Sequence, residues 1–156
     1  MTEKEISRLQ SAKASGLKTI LFVCSGNSIR SQIAEGIINH YFGDRWSAFS
    51  AGIMPMKVPK DLIKVMREIG IDISTHKAKH IDIFRGVSFD RVVVLCSDVE
   101  RICPVLPHCE EQERIFFHDP ISSSVVAEGI LLSFTSIFRQ LREEMKKVLT
   151  GYMKES

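Results

Sequence analysis

Cys24 stands at the end of an apolar run, Thr19-Ile20-Leu21-Phe22-Val23, and Arg30 follows six residues later across Ser25-Gly26-Asn27-Ser28-Ile29. The pattern predicts a strand, a short loop with a thiol at its mouth, and a helix beginning near Arg30. A loop of this kind turns consecutive backbone N–H groups inward, and with the helix N-terminus they form a cradle for a tetrahedral oxyanion. The same field favours a thiolate over a thiol, and a guanidinium can grip two oxygens of the anion in a bidentate fork. Cys24 is therefore the candidate nucleophile and Arg30 the candidate clamp. Ser25, Gly26, Asn27, Ser28, Ile29, Arg30 and Ser31 are the candidate oxyanion-binding residues, with the Ser31 hydroxyl able to reach the sulfur. Taken alone, Cys24 also reads as a buried strand-end cysteine packed like a small hydrophobe. The surroundings favour the site: Gly26 and Asn27 tolerate tight or left-handed backbone, and Ile29, Ile33, Ile37 and Tyr41 recur every four residues as the apolar stripe of a helix packed on a sheet.

Two further constellations point to the same place. Cys96 ends the apolar run Val92-Val93-Val94-Leu95, so a parallel sheet would bring it to the same rim as Cys24. Cys103 lies seven residues on. If the intervening segment is helical, a rise of about 1.5 Å per residue separates the two Cα atoms by roughly 10.5 Å, beyond the approximately 7 Å limit for a disulfide. Joining them requires that segment to unwind, and Pro104 and Pro107 limit any longer helix. From the residues alone three readings stay open: two unreactive buried thiols, a zinc site of Cys96, Cys103, His108 and Cys109 without the paired spacing of common zinc modules, or a redox pair. Asp119-Pro120 follows the run Arg114 to Phe117. It reads as a turn, or as a carboxylic acid aimed at the anion from the same rim.

The elements that must position these residues alternate between strand and helix. Lys18 to Val23, Ser47 to Ser50, Arg91 to Leu95 and Arg114 to Phe117 read as strands. Pro59 opens a helix that ends at Gly70, and a final helix spans about Ser133 to Leu149, burying Phe134, Ile137, Phe138, Leu141, Met145 and Val148. This alternation implies a parallel sheet covered on both faces. Met1 to Gly16 reads either as a short helix using Ile6 and Leu9 or as disordered, so residues 1–17 are taken as an N-terminal extension and 18–156 as one domain. With 156 residues, 21 basic against 19 acidic and a net charge of +2, the chain is expected to bind neither nucleic acid nor membrane. No apolar stretch is long enough to span a bilayer and the first residues lack a signal-peptide core, so the protein is expected to stay in the cytoplasm. There, four cysteines point to catalysis or metal binding rather than to structural disulfides.

The stretch Phe22-Val23-Cys24-Ser25-Gly26-Asn27-Ser28-Ile29-Arg30-Ser31-Gln32-Ile33-Ala34-Glu35-Gly36 resembles the signature loop of the low-molecular-weight protein tyrosine phosphatase superfamily. Within it, the resemblance is closest to the thioredoxin-coupled arsenate reductases. It continues through Ser50-Ala51-Gly52, Ile71-Asp72-Ile73-Ser74-Thr75-His76, Val94-Leu95-Cys96-Ser97-Asp98, Cys103-Pro104 and Asp119-Pro120. It implies a three-layer α/β/α fold with a four-stranded parallel sheet, flavodoxin-like, and a monomer. It also implies a cysteine relay. Cys24 attacks arsenate with Asp119 as general acid, Cys96 displaces arsenite, and Cys103 frees Cys24 to leave a Cys96–Cys103 disulfide for thioredoxin. The cofactor expectation is thus none bound and no metal, with thioredoxin as reductant and arsenate or phosphate as the oxyanion.

The alternative is a phosphatase acting on phosphotyrosine, which shares Cys24, Arg30 and Asp119. A phosphotyrosine ring needs aromatic walls, yet Ile121 and Ser122 follow Asp119-Pro120, and Ile53-Met54-Pro55-Met56 follows Gly52. A non-catalytic oxyanion-binding protein is a third reading, one that has no need of a thiol, an acid and a cysteine pair together. Three departures from the reductase pattern stand out. Ile29 occupies a position where reductases often carry another cysteine. Several reductases hold potassium with an Asn and a Glu that match Asn27 and Glu35, but Lys79 stands where an aspartate ligand is expected, so no potassium site is predicted. Ser122 to Leu132 is longer than expected. His108 and Cys109 are read as surface bystanders, and His40, His76, His80 and His118 as structural or solvated.

Overall fold

The computed structural model describes residues 2–97, 99, 106–120, 126–127, 130–131 and 133–155. In chain order the elements are α1 (Thr2–Ala14), β1 (Lys18–Cys24), α2 (Arg30–Tyr41), β2 (Trp46–Gly52), α3 (Lys60–Arg67), a 3₁₀ turn (Ile81–Phe84), β3 (Ser88–Val94), β4 (His108–Arg114), the short β5 (Val126–Ala127) and β6 (Ile130–Leu131), and α4 (Phe134–Lys154).

β1 is apolar on both faces because it is central. The sheet order is β2-β1-β3-β4, every pair parallel, with Cys24 opposite Gly52 and Val23 opposite Val94. Neighbouring residues of a strand point to opposite faces, and β2 shows what covers each. Ser50 reaches Glu35 of α2, whereas Phe49 meets Phe84 of the 3₁₀ turn, Phe89 of β3 and the Arg8 guanidinium of α1. α2 and α4 thus pack on one face, while α1 and the 3₁₀ turn pack on the other. This is the layered parallel arrangement expected from the sequence. Of the stretch read as either helical or disordered, Thr2–Ala14 is a helix: α1 sends Leu9 and Ala12 into the core and packs Ile6 against it, and Met1 lies outside the described residues.

Several expectations need correction. The fourth strand runs over His108–Arg114 and not Arg114–Phe117. Its sequence, His-Cys-Glu-Glu-Gln-Glu-Arg, is polar because it is an edge strand whose side chains are largely exposed, and its backbone pairing with β3 supplies the order that an apolar pattern did not advertise. The apolar residues after it only extend the pairing, through Ile115 N–H to Val94 O and Phe117 N–H to Leu95 O. Tyr41 is exposed, since residues four apart drift by about 40° per step around a helix of 3.6 residues per turn, and three steps carry the stripe off the sheet. Ile38 takes the buried place. Phe134 and Val148 of α4 are likewise exposed, and the buried stripe is Ile137, Phe138, Leu141, Met145, Leu149 and Met153. α4 begins at Phe134, with the Ser133 hydroxyl accepting from Ser136 N–H as its cap.

α3 ends near Gly70, whose φ of +79° suits a residue without Cβ. Glu68, just past α3, binds α4 through Nε and Nη2 of Arg139 at 2.9 and 2.7 Å and through Arg142 at 2.9 Å. These hydrogen bonds hold the Glu68 carboxyl down to about 2, so the clamp stays charged well into acid. Of the long stretch Ser122 to Leu132, β5 and β6 form an antiparallel pair, and its other residues lie outside the described ones.

The face beneath α1 depends on the ring cluster, in which Phe84 sits edge-on to Phe49 at 6.0 Å and to Phe89 at 5.3 Å. Replacing fully buried Phe84 by Ala removes one corner of this three-ring triangle, and we expect a loss of about 3–5 kcal/mol in denaturant unfolding. A loss below about 1 kcal/mol would mean that the cluster is not packed as described.

Candidate active site

The loop between β1 and α2 is held from behind by the chain that follows β2. Ser25 O accepts the N–H groups of Ile53 and Met54, and Gly26 O accepts that of Met56. Asn27, fully buried, has a φ of +47°, the left-handed backbone anticipated for it. Its side chain ties three segments together. Its Oδ1 accepts the backbone N–H of Lys79 at 2.7 Å, its Nδ2 donates to Ser31 Oγ at 2.6 Å, and its backbone carbonyl accepts from Gln32 Nε2 at 3.1 Å.

With the loop's carbonyls engaged outward, the N–H groups of Gly26 through Arg30 have no acceptor among the described residues. The first turn of α2 carries no side-chain cap either. A run of free donors at a helix start is an anion cradle in chemical terms. Cys24 Sγ lies 3.0 Å from Ser31 Oγ. Because Ser31 Oγ already accepts from Asn27, its own hydrogen is available to a thiolate at Cys24.

Arg30 is buried, its guanidinium donating to Phe117 O at 3.2 Å and to Ser25 Oγ at 3.4 Å. Phe117 O belongs to the segment that leads to Asp119, so the same contact couples Arg30 to the carboxyl-bearing loop. Asp119 is half-buried and Pro120 buried. Cys96 is buried on the same rim. The β1–β3 pairing runs on past Val94, with Leu95 N–H donating to Val23 O, and Cys96 is the next residue after Leu95. The structure thus brings Cys24, Ser25, Gly26, Asn27, Ser28, Ile29, Arg30, Ser31, Cys96 and Asp119 to the carboxyl ends of the strands. Cys103 lies outside the described residues, as do Ile121 and Ser122.

His108 and Cys109 sit in β4, where burial pushes the Cys109 thiol up and makes it a poorer nucleophile. Among the described residues no three potential ligands cluster around a metal position.

The sequence reading missed a buried polar layer beneath the loop. His76, treated there as merely structural or solvated, has Nδ1 2.9 Å from Gln32 Oε1 and 3.2 Å from Glu35 Oε2. Both partners are acceptors, so Nδ1 carries the hydrogen. Burial pushes the His76 imidazole below its ordinary value of 6.5, with Glu35 opposing and Lys79 assisting. The signal that was available is Gln32, a long amide in the first turn of α2, which reaches back to the Asn27 carbonyl and across to Lys77 O.

Gly52, opposite Cys24, closes the contact between β2 and the loop: a Cβ there would lie 2.6 Å from Asn27 N. Gly52→Ala must push the loop outward, and we expect at least about a tenfold loss of affinity for a bound oxyanion such as inorganic phosphate, measured by calorimetry. An unchanged affinity would refute the close approach. His76 adds a pH dependence. A folded-state value below 6.5 means that the unfolded chain binds the extra proton, so stability is full above 6.5 and falls as pH drops from 6.5 toward the folded value. His76→Gln should flatten that part of the stability curve, as read by thermal unfolding at successive pH values.

A family model described as low molecular weight phosphotyrosine protein phosphatase matches residues 19–155. Arsenate reductase 1 of Staphylococcus epidermidis is 41% identical to this chain over 135 residues, covering 86% of this chain and 95% of the relative. Among solved structures, an arsenate reductase in its oxidized state superposes with a TM-score of 0.72 at 27% identity, over 89% of this chain and 98% of that one. The low molecular weight protein tyrosine phosphatase from T. tengcongensis superposes with a TM-score of 0.63 at 25% identity, over 89% and 99%. Both carry the fold described above. Given the match over nearly its whole length, the chain belongs to the low molecular weight phosphotyrosine protein phosphatase family.

Proposed function

We propose that this protein is an arsenate reductase that converts arsenate to arsenite through a cysteine relay regenerated by thioredoxin. The observation that carries the reading is Cys96: a second buried thiol at the next strand end along the rim from Cys24, where a hydrolase needs none. The arsenate reductase relatives at about 40% identity support it independently.

The free N–H groups of Gly26 to Arg30 and the Arg30 guanidinium bind the oxyanion. The Cys24 thiolate, steadied by Ser31, attacks arsenic, and Asp119 protonates the departing oxygen so that it leaves as water. Cys96 then attacks Cys24 Sγ. The sulfur–arsenic bond breaks with its electron pair passing to arsenic, which leaves as arsenite, reduced from As(V) to As(III), while the two thiols are oxidised to a disulfide. Cys103 attacks Cys96, restores Cys24 as a thiolate, and leaves a Cys96–Cys103 disulfide. Two electrons from thioredoxin complete the cycle. Phosphate fits the same cradle, but a phosphocysteine offers the second thiol no comparable reduction and must wait for water.

The rest of the reading follows the same lines. Residues 18–156 form the catalytic domain and residues 1–17 an extension that packs on it. The chain works as a cytoplasmic monomer without a bound cofactor. Among the described residues no helix is long and apolar enough to cross a membrane.

With thioredoxin, thioredoxin reductase and NADPH, arsenate should drive NADPH oxidation. Cys96→Ser should cut that rate by at least about a hundredfold while hydrolysis of a small aryl phosphate stays within about twofold. Parallel loss of both activities would count against the relay, because it would make Cys96 a support of the shared site and not the second thiol of a reduction.

A further inference from the structure

Beneath the loop, Lys79 is only 8% exposed, yet it carries a full ammonium group into the interior. Its Nζ lies 3.1 Å from Lys77 O, 3.4 Å from Ser50 Oγ and 3.7 Å from Glu35 Oε1. A carbonyl, a hydroxyl and a carboxylate converging on one point are the oxygen donors that a hard cation takes. Ser50 Oγ in turn donates to Glu35 Oε1 at 2.8 Å, so two of the three oxygens are also tied to each other.

Potassium does not fit this position. The point where the three oxygens meet is filled by Nζ, and the Asn27 amide oxygen, the other ligand suggested by the resemblance, is already engaged by Lys79 N–H and lies 3.4 Å from Gln32 Nε2. Glu35, 1% exposed, nevertheless needs a positive partner. His76 faces it in the neutral state that burial favours. That leaves Lys79. The same residue grips the loop with its backbone, since its N–H holds Asn27 Oδ1 and its carbonyl accepts Gly52 N–H at 2.8 Å. A chain of hydrogen bonds therefore runs from the Lys79 backbone N–H through Asn27 and Ser31 to Cys24 Sγ, while the ammonium of the same residue is anchored on Lys77, Ser50 and Glu35.

We propose that the Lys79 ammonium is a tethered internal cation, seated on Lys77 O, Ser50 Oγ and Glu35, which positions the oxyanion loop and makes this protein independent of an exchangeable monovalent ion. Lys79 is a positioning residue, acting through Asn27. The inference rests on the oxyanion site proposed above but not on which reaction occurs there. A cavity of about 460 Å³, lined by Arg8, Glu35, Asn39, His76, Lys79 and Ile83 among others, opens onto this cluster, so a small cation can enter once the side chain is shortened.

Inorganic phosphate affinity and thermal unfolding should be measured for the wild type, Lys79→Ala and Lys79→Gln in choline, potassium and methylammonium chloride at equal ionic strength. The wild type should bind phosphate within about twofold in all three salts, whereas Lys79→Ala should bind at least about tenfold more weakly in choline and recover most of that loss with potassium or methylammonium. Lys79→Gln fills the space without charge and should stay weak in every salt. Wild-type binding that rises with potassium as far as that of Lys79→Ala, or Lys79→Ala binding of wild-type strength in choline, would overturn the proposal. If Lys79→Ala unfolds in choline, refolding on addition of either small cation supports the tethered-cation role, and failure to refold in both refutes it. Should the wild type bind no phosphate in any salt, the oxyanion reading fails. The Lys79 proposal is then decided by unfolding alone: it stands if the small cations raise the midpoint of Lys79→Ala and leave the wild type unmoved, and falls otherwise.

Discussion

The left-handed backbone of Asn27 is the constraint from which the site follows. A non-glycine residue in that conformation costs of the order of 1–2 kcal/mol, and it persists only where its surroundings over-determine it. Here they do. The Asn27 amide is held on one side by the backbone of Lys79 and on the other by Ser31, while Gln32 reaches its carbonyl. With Asn27 pinned, the Ser25 and Gly26 carbonyls before it turn back to the chain after β2, the Ile29 carbonyl starts the α2 ladder at Ile33, and the N–H groups of the loop are left to an anion. A glycine would adopt the same φ more cheaply, but it would lack the amide that connects the loop to the layer beneath.

That layer explains why so many polar residues are buried under a site whose chemistry needs only a thiol, an arginine and an acid. Glu35, Gln32, Ser31 and Ser50 are nearly or wholly buried, and each has a partner. In a low-dielectric interior a fully satisfied network is rigid, whereas an incomplete one costs more than an apolar core. Preorganisation of this kind lets donors face an incoming oxyanion without reorganising at the moment of reaction. The parallel register does the remaining positioning. It sets Cys24 against Gly52 and brings Leu95, and hence Cys96, to the level of the loop.

Legibility in the sequence tracked how local the cause was. β1 with its loop, the start of α2 at Arg30, and the glycine stop after α3 were readable because apolar runs, turn residues and caps act over a few positions. β4 was not, since an edge strand of exposed Glu, Gln and Arg carries no apolar signal and gains its order from β3. Tyr41, Phe134 and Val148 were misplaced because regular spacing fixes a stripe but not where the neighbouring layer ends. Asn27 was singled out for its backbone, yet the reach of its side chain to Lys79, 52 positions away, appears only when β2 and the segment after α3 are folded against each other.

Lys79 shows how such long-range contacts change a functional reading. Judged by position alone, a lysine in place of an expected acidic ligand means the loss of a cation site. The fold gives it the opposite meaning, because the carboxylate, hydroxyl and carbonyl that would call for a cation are all still in place, with the ammonium among them. A charge supplied by the chain arrives with folding and does not depend on the salt around it. The cost is side-chain ordering of about 1.5–2 kcal/mol, incurred once on folding rather than at each binding event. The oxyanion loop thereby takes its shape from residues far along the chain, and its readiness to accept an anion becomes part of the fold's own stability.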